Sequence, residues 1–223
     1  MPIDVDEAPL FPLPRGAILP GELLPLHIFE PRYQDMMRAV RAEAQIIAIG
    51  TLESGWERDY LGRPPVAPIV GLGSLLRDEE NPDGTSDIVL HGAGRGRLVE
   101  ELPSGPFRRV RFEFQASDQE AHPMESFRLR RELLQGLASC LAQDVQFDVT
   151  ARFDVGALAD RIASALQLPP RRRVQMMQAF TADQRIDVLL ELLGEPRHAR
   201  RLVELIPSLG DFTLALPDAK DPS

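Results

Sequence analysis

Residues able to make or break covalent bonds are few in this chain and poorly spaced for it. Of its 25 basic residues only Lys220 is a lysine, and it stands beside Asp221 in a polar tail. A P-loop needs a glycine-rich turn followed by lysine and Ser/Thr, so that backbone amides and the ammonium together hold phosphate. None is present. A serine–lysine dyad needs a buried lysine that can act as a base, and Lys220 is badly placed for that. No serine has glycines two positions before and after it, which excludes the nucleophile elbow. Gly71-Leu72-Gly73 and Gly92-Ala93-Gly94-Arg95-Gly96 lack the third glycine of the dinucleotide-binding spacing and fit strand bulges or close-packed turns. The four histidines, His27, His91, His122 and His198, are scattered, and His27 with Glu30 offers two metal ligands without a third. Cys140, alone in the chain, excludes an internal disulfide and lies in an amphipathic stretch where a buried apolar role is expected. The expectation is no catalytic residue, no cofactor and no metal.

Side chains suited to gripping another molecule are more numerous. Arginines cluster at Arg95 and Arg97, at Arg108, Arg109 and Arg111, at Arg171 to Arg173, and at Arg197, Arg200 and Arg201. Solvated ion pairs with the 34 acids are the ordinary reading; convergence on an anion-binding surface is the alternative. The polar segment from Glu53 to Arg63 holds Trp56, the sole tryptophan, and Tyr60, one of two tyrosines. Aromatics on a loop are frequent binding anchors. Trp56, Tyr60, Arg95 and Arg97 are therefore the candidate partner-binding residues.

Two kinds of structure must position them. Up to about residue 120 the chain has short apolar runs punctuated by Pro and Gly, predicting strands at Leu10–Leu13, Ala17–Leu19, Gln45–Leu52, Ala67–Leu76, Ser86–Leu90, Gly96–Leu102 and Arg108–Ala116. Asn81-Pro82-Asp83-Gly84 supplies a turn. One helix interrupts this half: Pro31 suits a first helical position, and Tyr33, Met36, Met37 and Val40 recur on one face. From Pro123 the spacing turns helical. Helices are expected with stripes at Leu134, Leu137, Ala138 and Leu141; at Leu158, Ile162 and Leu166 after an Asp154 cap; from Pro170 to about Phe180; at Ile186, Leu189, Leu190 and Leu193 after a Thr181/Gln184 capping box; and at Ala199, Leu202, Val203 and Ile206. Short helices with narrow stripes must pack on one another. The expected fold is α+β, with a β-rich subdomain over 8–120 and an α-helical bundle over 121–207, followed by a tail over 208–223.

The 223 residues carry a net charge of −9, which disfavours phosphate backbones and anionic lipid as partners. The amino terminus is acidic and no apolar run approaches the ~18 residues a bilayer span requires. A cytoplasmic location and no membrane partner are the expectations.

The stretch Leu10-Phe11-Pro12-Leu13, Leu19-Pro20-Gly21 and Leu24-Pro25-Leu26-His27-Ile28-Phe29-Glu30-Pro31-Arg32-Tyr33 resembles the N-terminal substrate-recognition domain of the Lon proteases, a family that includes the LON domain of cereblon. Ile49-Gly50-Thr51, Pro82-Asp83-Gly84, Gly94-Arg95, Arg97-Leu98, Ala159-Asp160, Val174-Gln175-Met176-Met177 and Arg185-Ile186-Asp187-Val188-Leu189-Leu190 follow in the same order, so the likeness spans about residues 8 to 206. Gly96 stands where the family commonly has an aromatic residue. The resemblance implies a PUA-like β-barrel or pseudobarrel with one packed helix, then the bundle. It also implies a non-enzymatic polypeptide-recognition module, without the ATPase and protease domains into which a Lon protease continues. Its partner would be an unfolded polypeptide, or a protease or chaperone. The alternative implied by a PUA-like fold is RNA binding through the arginine strands; oligomeric state is left open. Within the motif, Phe11, Leu13, Leu26, Ile28 and Phe29 are expected in the core, and Glu30 is expected to accept from the first amides of the helix that Pro31 begins. Arg32 is expected to pair with an acid, and Pro20, Gly21 and Tyr33 complete a motif expected to be structural.

Overall fold

The computed structural model describes residues 5–14, 16–43, 45–59, 62–103, 105–115, 155–166 and 168–193. The chain divides into two compact units, one formed by Met1–Ala116 with Pro169–Gln178, the other by Ser117–Leu168 with Ala179–Ser223. The helix beginning at Pro170 thus clusters with the strands, whereas a division near residue 120 places it with the helical half.

In the first unit six strands form one sheet: β1 (Glu7–Leu13), β2 (Leu23–Ile28), β3 (Ile46–Thr51), β4 (Ile69–Glu80), β5 (Ser86–Leu102) and β6 (Arg108–Gln115). Their order is β2-β5-β4-β3-β1-β6, and β6 also pairs with β5, which closes a ring of five strands with β2 attached outside it. Strand β1 runs parallel to β3 and antiparallel to β6. Besides its pairing with β4, strand β5 is long enough to serve two further neighbours, pairing through Ser86–His91 with β2 and through Arg95–Leu102 with β6. Two separate strands were expected over this stretch. The glycines that suggest a break instead form a bulge, where Leu72 faces Gly94 and Gly73 faces Gly92. The Asn81–Gly84 turn is formed, with Gly84 N–H donating to the Asn81 carbonyl at 2.9 Å.

The expected strand at Ala17–Leu19 is absent, and its residues are buried as irregular chain. The reason lies in the glycines beneath it. A Cβ at Gly92 would stand 2.0 Å from the Leu19 carbonyl oxygen, and one at Gly71 would stand 2.3 Å from that of Ile18. Only strands without side chains at these points let another backbone lie directly on them. The strand missed by sequence reading is β2. It alternates exposed Leu23, Pro25 and His27 with half-buried Leu24 and Leu26 and buried Ile28. Pro25, lacking an N–H, blunts an edge strand.

Helix α1 (Pro31–Ala42) buries Tyr33, Met36, Met37 and Val40, the stripe its spacing predicts. They join Phe11, Ile18, Ile28, Ile47, Ile49, Ile88 and Leu90 in one core cluster; Ala8, Leu10, Ala48, Val70, Leu72, Val110 and Phe112 form a second. Arg41, in the last turn of α1, donates to Asp78 at 2.5 and 2.8 Å and to Ser86 at 2.9 Å, fastening the helix end to β4 and β5.

Helix α3 (Pro170–Gln178) completes this unit. In the other unit, α2 (Val155–Ala165) and α4 (Ala182–Leu193) pack together. The capping box of α4 is reciprocal: Gln184 N–H donates to Thr181 Oγ1 at 3.2 Å, and Gln184 Oε1 accepts from Thr181 N–H at 3.3 Å and from Phe180 N–H at 2.9 Å. Arg185, 2% exposed, lies 3.5 Å from Asp160, 1% exposed, and also donates to the carbonyls of Ala179 and Phe180, so this buried charge is paired and hydrogen-bonded. The helices expected from Pro123 and around Ala199–Ile206, Asp154 and the 208–223 tail lie outside the described residues.

Candidate functional site: a proline-walled cleft beside Trp56

Five segments meet at one end of the ring. Leu52 N–H donates to the Leu13 carbonyl at 2.9 Å, Ala67 N–H to that of Thr51 at 2.8 Å, and Glu53 N–H to that of Pro65 at 2.9 Å, holding the ends of β1 and β3 and the approach to β4 together. Thr51 Oγ1 adds a bond to the Gly16 carbonyl at 2.8 Å. Beyond β3 the chain turns at Gly55, whose φ of +91° favours glycine, and enters a short 3-10 turn, Trp56–Asp59.

The fifth segment is α3, far away in sequence. It is held at both ends. Arg173, near its start, donates to the Ala17 carbonyl at 2.7 and 3.1 Å and pairs with Glu22. Glu22 also accepts from Leu19 N–H at 2.9 Å, so the helix is tied to the segment that lies over Gly71 and Gly92. Near its other end, Arg95 Nη2 donates to the Met176 carbonyl at 3.1 Å. Met176 and Met177 are buried.

Between α3 and the strand ends run two adjoining depressions of about 580 and 620 Å³, which share Pro14, Leu52, Glu53, Ser54, Pro170 and Arg171. One continues along Ala67, Pro68, Val174 and Gln178; the other ends at Trp56, Glu57, Pro169 and Arg172. Their walls combine four proline rings, an indole and aliphatic side chains with the polar Thr51, Ser54 and Gln178, and Glu53, Glu57, Arg171 and Arg172 are the charged members. Rigid apolar walls with charges of both signs suit an extended polypeptide, whose side chains need apolar contact and whose backbone needs polar partners. Among the described residues no histidine, cysteine or lysine lines the cleft.

Of the three candidate binding residues among the described residues, Trp56, half-buried, lines this cleft and Arg95 and Arg97 do not. Tyr60 lies outside the described residues. Arg95 is 3% exposed, and its engagement with Met176 makes it a brace for α3. That position corrects the expectation of a surface contact: Arg95 is buried, with its guanidinium on a backbone carbonyl of α3. Arg97, two residues on, is exposed opposite Glu113 and Ile69 and does not line the cleft. The lining residues missed by sequence reading, among them Pro14, Leu52, Pro68 and Val174, carry no local signal, since only the arrival of α3 makes them a wall.

The motif residues are mostly scaffold. Phe11 packs on Tyr33 with ring centroids 4.4 Å apart, and the Arg32 guanidinium lies 4.7 Å over the Tyr33 ring. Two expectations are corrected. Phe29 is 62% exposed, because it continues the outward series of β2, and it stacks on His27 at 6.0 Å. Glu30 makes no side-chain cap to α1; its carboxylate pairs with Arg32 at 2.9 Å, while its carbonyl accepts from Tyr33 and Gln34 N–H. His27 Nδ1 donates to the Asp87 carboxylate at 2.8 Å, and the His27–Glu30 pairing is not formed.

Residues 7–195 match the ATP-dependent protease La (LON) substrate-binding domain. The chain belongs to this family. Among curated relatives, Lon protease of Heliobacterium modesticaldum is 24% identical over 85% of this chain, and that of Anaeromyxobacter dehalogenans 23% identical over 90%. In each case the match covers 24% of the relative, so the chain spans about a quarter of the length of these proteins. The crystal structure of a Lon N-terminal domain protein from Xanthomonas campestris matches with a TM-score of 0.60 at 22% identity, covering 84% of this chain and 98% of that one. The N-terminal domain of a Mycobacterium avium complex Lon protease matches with a TM-score of 0.63 at 18% identity, covering 85% and 98%. The mixed sheet with its few helices is therefore the LON substrate-binding domain fold.

Proposed function

We propose that this chain is a non-enzymatic polypeptide-recognition module that takes an extended, unfolded segment, or a segment of a protease or chaperone partner, into the Trp56 cleft. The observation that carries this reading is the cleft itself, built from four prolines, Trp56 and α3 on a LON substrate-binding domain. Membership of that family supports a protein substrate as the ligand class. The proposal includes a C-terminal helical bundle of which α2 and α4 are part, action without covalent chemistry by this chain, and a cytoplasmic setting. The RNA alternative through the arginine strands is weakened, since Arg95 on one of them is buried and engaged with the Met176 carbonyl.

Fluorescence anisotropy with a labelled, permanently unfolded casein tests it. Saturable binding is expected, weakened by about tenfold or more in Trp56→Ala, as for an aromatic anchor worth over ~1.4 kcal/mol, and unchanged in Arg97→Ser. Binding that ignores Trp56→Ala, or turnover of casein by the homogeneous chain, contradicts it.

A further inference from the structure

A second, smaller cavity of about 250 Å³ opens elsewhere on the first unit, lined by Arg32, Tyr33, Gly62, Arg63, Gly105, Pro106, Phe107 and Arg108. Its residues come from the start of α1, the segment before β4 and the β5–β6 connection, so nothing in their spacing announces them. Among the described residues, its only charged wall groups are three guanidiniums. The carboxylates that pair with these arginines lie outside the lining: Glu30 takes Arg32 at 2.9 Å, and Glu101 takes Arg63 at 3.0 Å and Arg108 at 2.8 Å. Arg108 also donates to the Pro64 carbonyl at 2.8 Å. The Asp59 carboxylate packs close to Gly62 but is not part of the wall either.

These pairings hold the guanidiniums in place. The three arginines are the charged part of the described lining, and Tyr33, Pro106 and Phe107 are its apolar part, with the Arg32 guanidinium over the Tyr33 ring. A planar, permanently charged guanidinium is the side chain best matched to a carboxylate or phosphate, and one held beforehand loses little entropy on binding. At ~30 Å³ per water the space holds about eight waters, enough for an oxyanion on a short ring or aliphatic stem and too little for a nucleotide.

We infer that this cavity is an oxyanion-binding site, selecting a carboxylate or phosphate group borne on a small apolar stem. Among the described residues it shares no lining residue with the Trp56 cleft, and it does not depend on that cleft's function.

Nuclear magnetic resonance titration of the chain at low salt tests this, with benzoate, phenyl phosphate and the neutral isostere benzamide as probes. The expected result is saturable shifts of the Arg32, Arg63 and Arg108 Nε–H signals and the Gly62 and Gly105 amides with at least one of the two anions, and none with benzamide. The anion that binds more tightly identifies the oxyanion as carboxylate or phosphate. Arg63→Gln, a change at a half-exposed side chain, should weaken binding by about fivefold or more with the remaining spectrum intact, the loss of one charge-assisted contact. Shifts equal to those from sodium chloride, equal shifts with benzamide, or an Arg63→Gln chain that binds as before would each overturn the assignment.

Discussion

Arg95 donates to the carbonyl of Met176 at 3.1 Å, joining residues 81 positions apart and fixing α3 against β5. That single bond lies at the centre of how the Trp56 cleft is made, because α3 is the wall that the strands cannot supply. Arg95 is buried, so its role is energetic as well as geometric. Arg95→Ala should cost about 1–3 kcal/mol of stability, the range for losing a charged hydrogen-bond partner in the interior. Urea unfolding measures the cost; a loss within error of zero would show that Arg95 is no brace for α3 and leave the helix held by Arg173.

The Arg41–Asp78 pair predicts an acid limb of stability. The Arg41 hydrogen bonds hold the Asp78 carboxyl below its ordinary value, and Asp78 in turn raises Arg41. A carboxyl depressed in the folded state stabilises it fully above the unfolded value of about 4 and loses that contribution as pH falls below it toward the folded value. In Arg41→Gln the urea midpoint should be lower at pH 7 and should fall less steeply than in the parent as pH drops below about 4. Parallel curves would show that the pair contributes nothing.

Gly92 is predicted to be intolerant of any side chain. With the Leu19 carbonyl oxygen 2.0 Å from its ideal Cβ, Gly92→Ala must displace backbone and should destabilise by about 1–3 kcal/mol or more. Gly105→Ala, where no atom lies within 4 Å, should change stability by less than about 0.5 kcal/mol. Equal thermal midpoints for the two variants would contradict the close approach of the Ile18–Leu19 backbone to the sheet.

Exposure of Phe29 separates it from the other aromatics of its motif. Phe29→Ser should stay within about 0.5 kcal/mol of the parent, whereas Phe11→Ala, which empties the contact with Tyr33, should cost about 3–5 kcal/mol. Chemical denaturation of both variants decides it.

What could be read from the sequence was what short-range physics settles. The α1 stripe from Tyr33 to Val40, the Asn81–Gly84 turn and the Thr181/Gln184 capping box each depend on residues within a few positions, and each is formed. Ala17–Leu19 has the apolar character of a strand, yet its place is set by Gly71 and Gly92, more than fifty residues away. Arg95 and Arg97 look alike in sequence, and only α3 makes one a buried brace and leaves the other exposed. Trp56 stood out as a lone tryptophan in a polar loop, and it lines the cleft; the prolines around it did not stand out, since Pro14, Pro68 and the Pro169-Pro170 pair belong to three separate stretches of chain. The arginines of the smaller cavity were counted in other clusters or alone, and folding alone brings Arg32, Arg63 and Arg108 together.

Trp56 is also the only tryptophan in the chain, so its emission reports on the cleft without a label. Titration with unlabelled, permanently unfolded casein should shift or quench that emission saturably, at the same midpoint as the anisotropy change, and a short competing apolar peptide should reverse it. Casein that binds with full affinity while the Trp56 emission stays unchanged would place the recognition surface elsewhere and contradict the account.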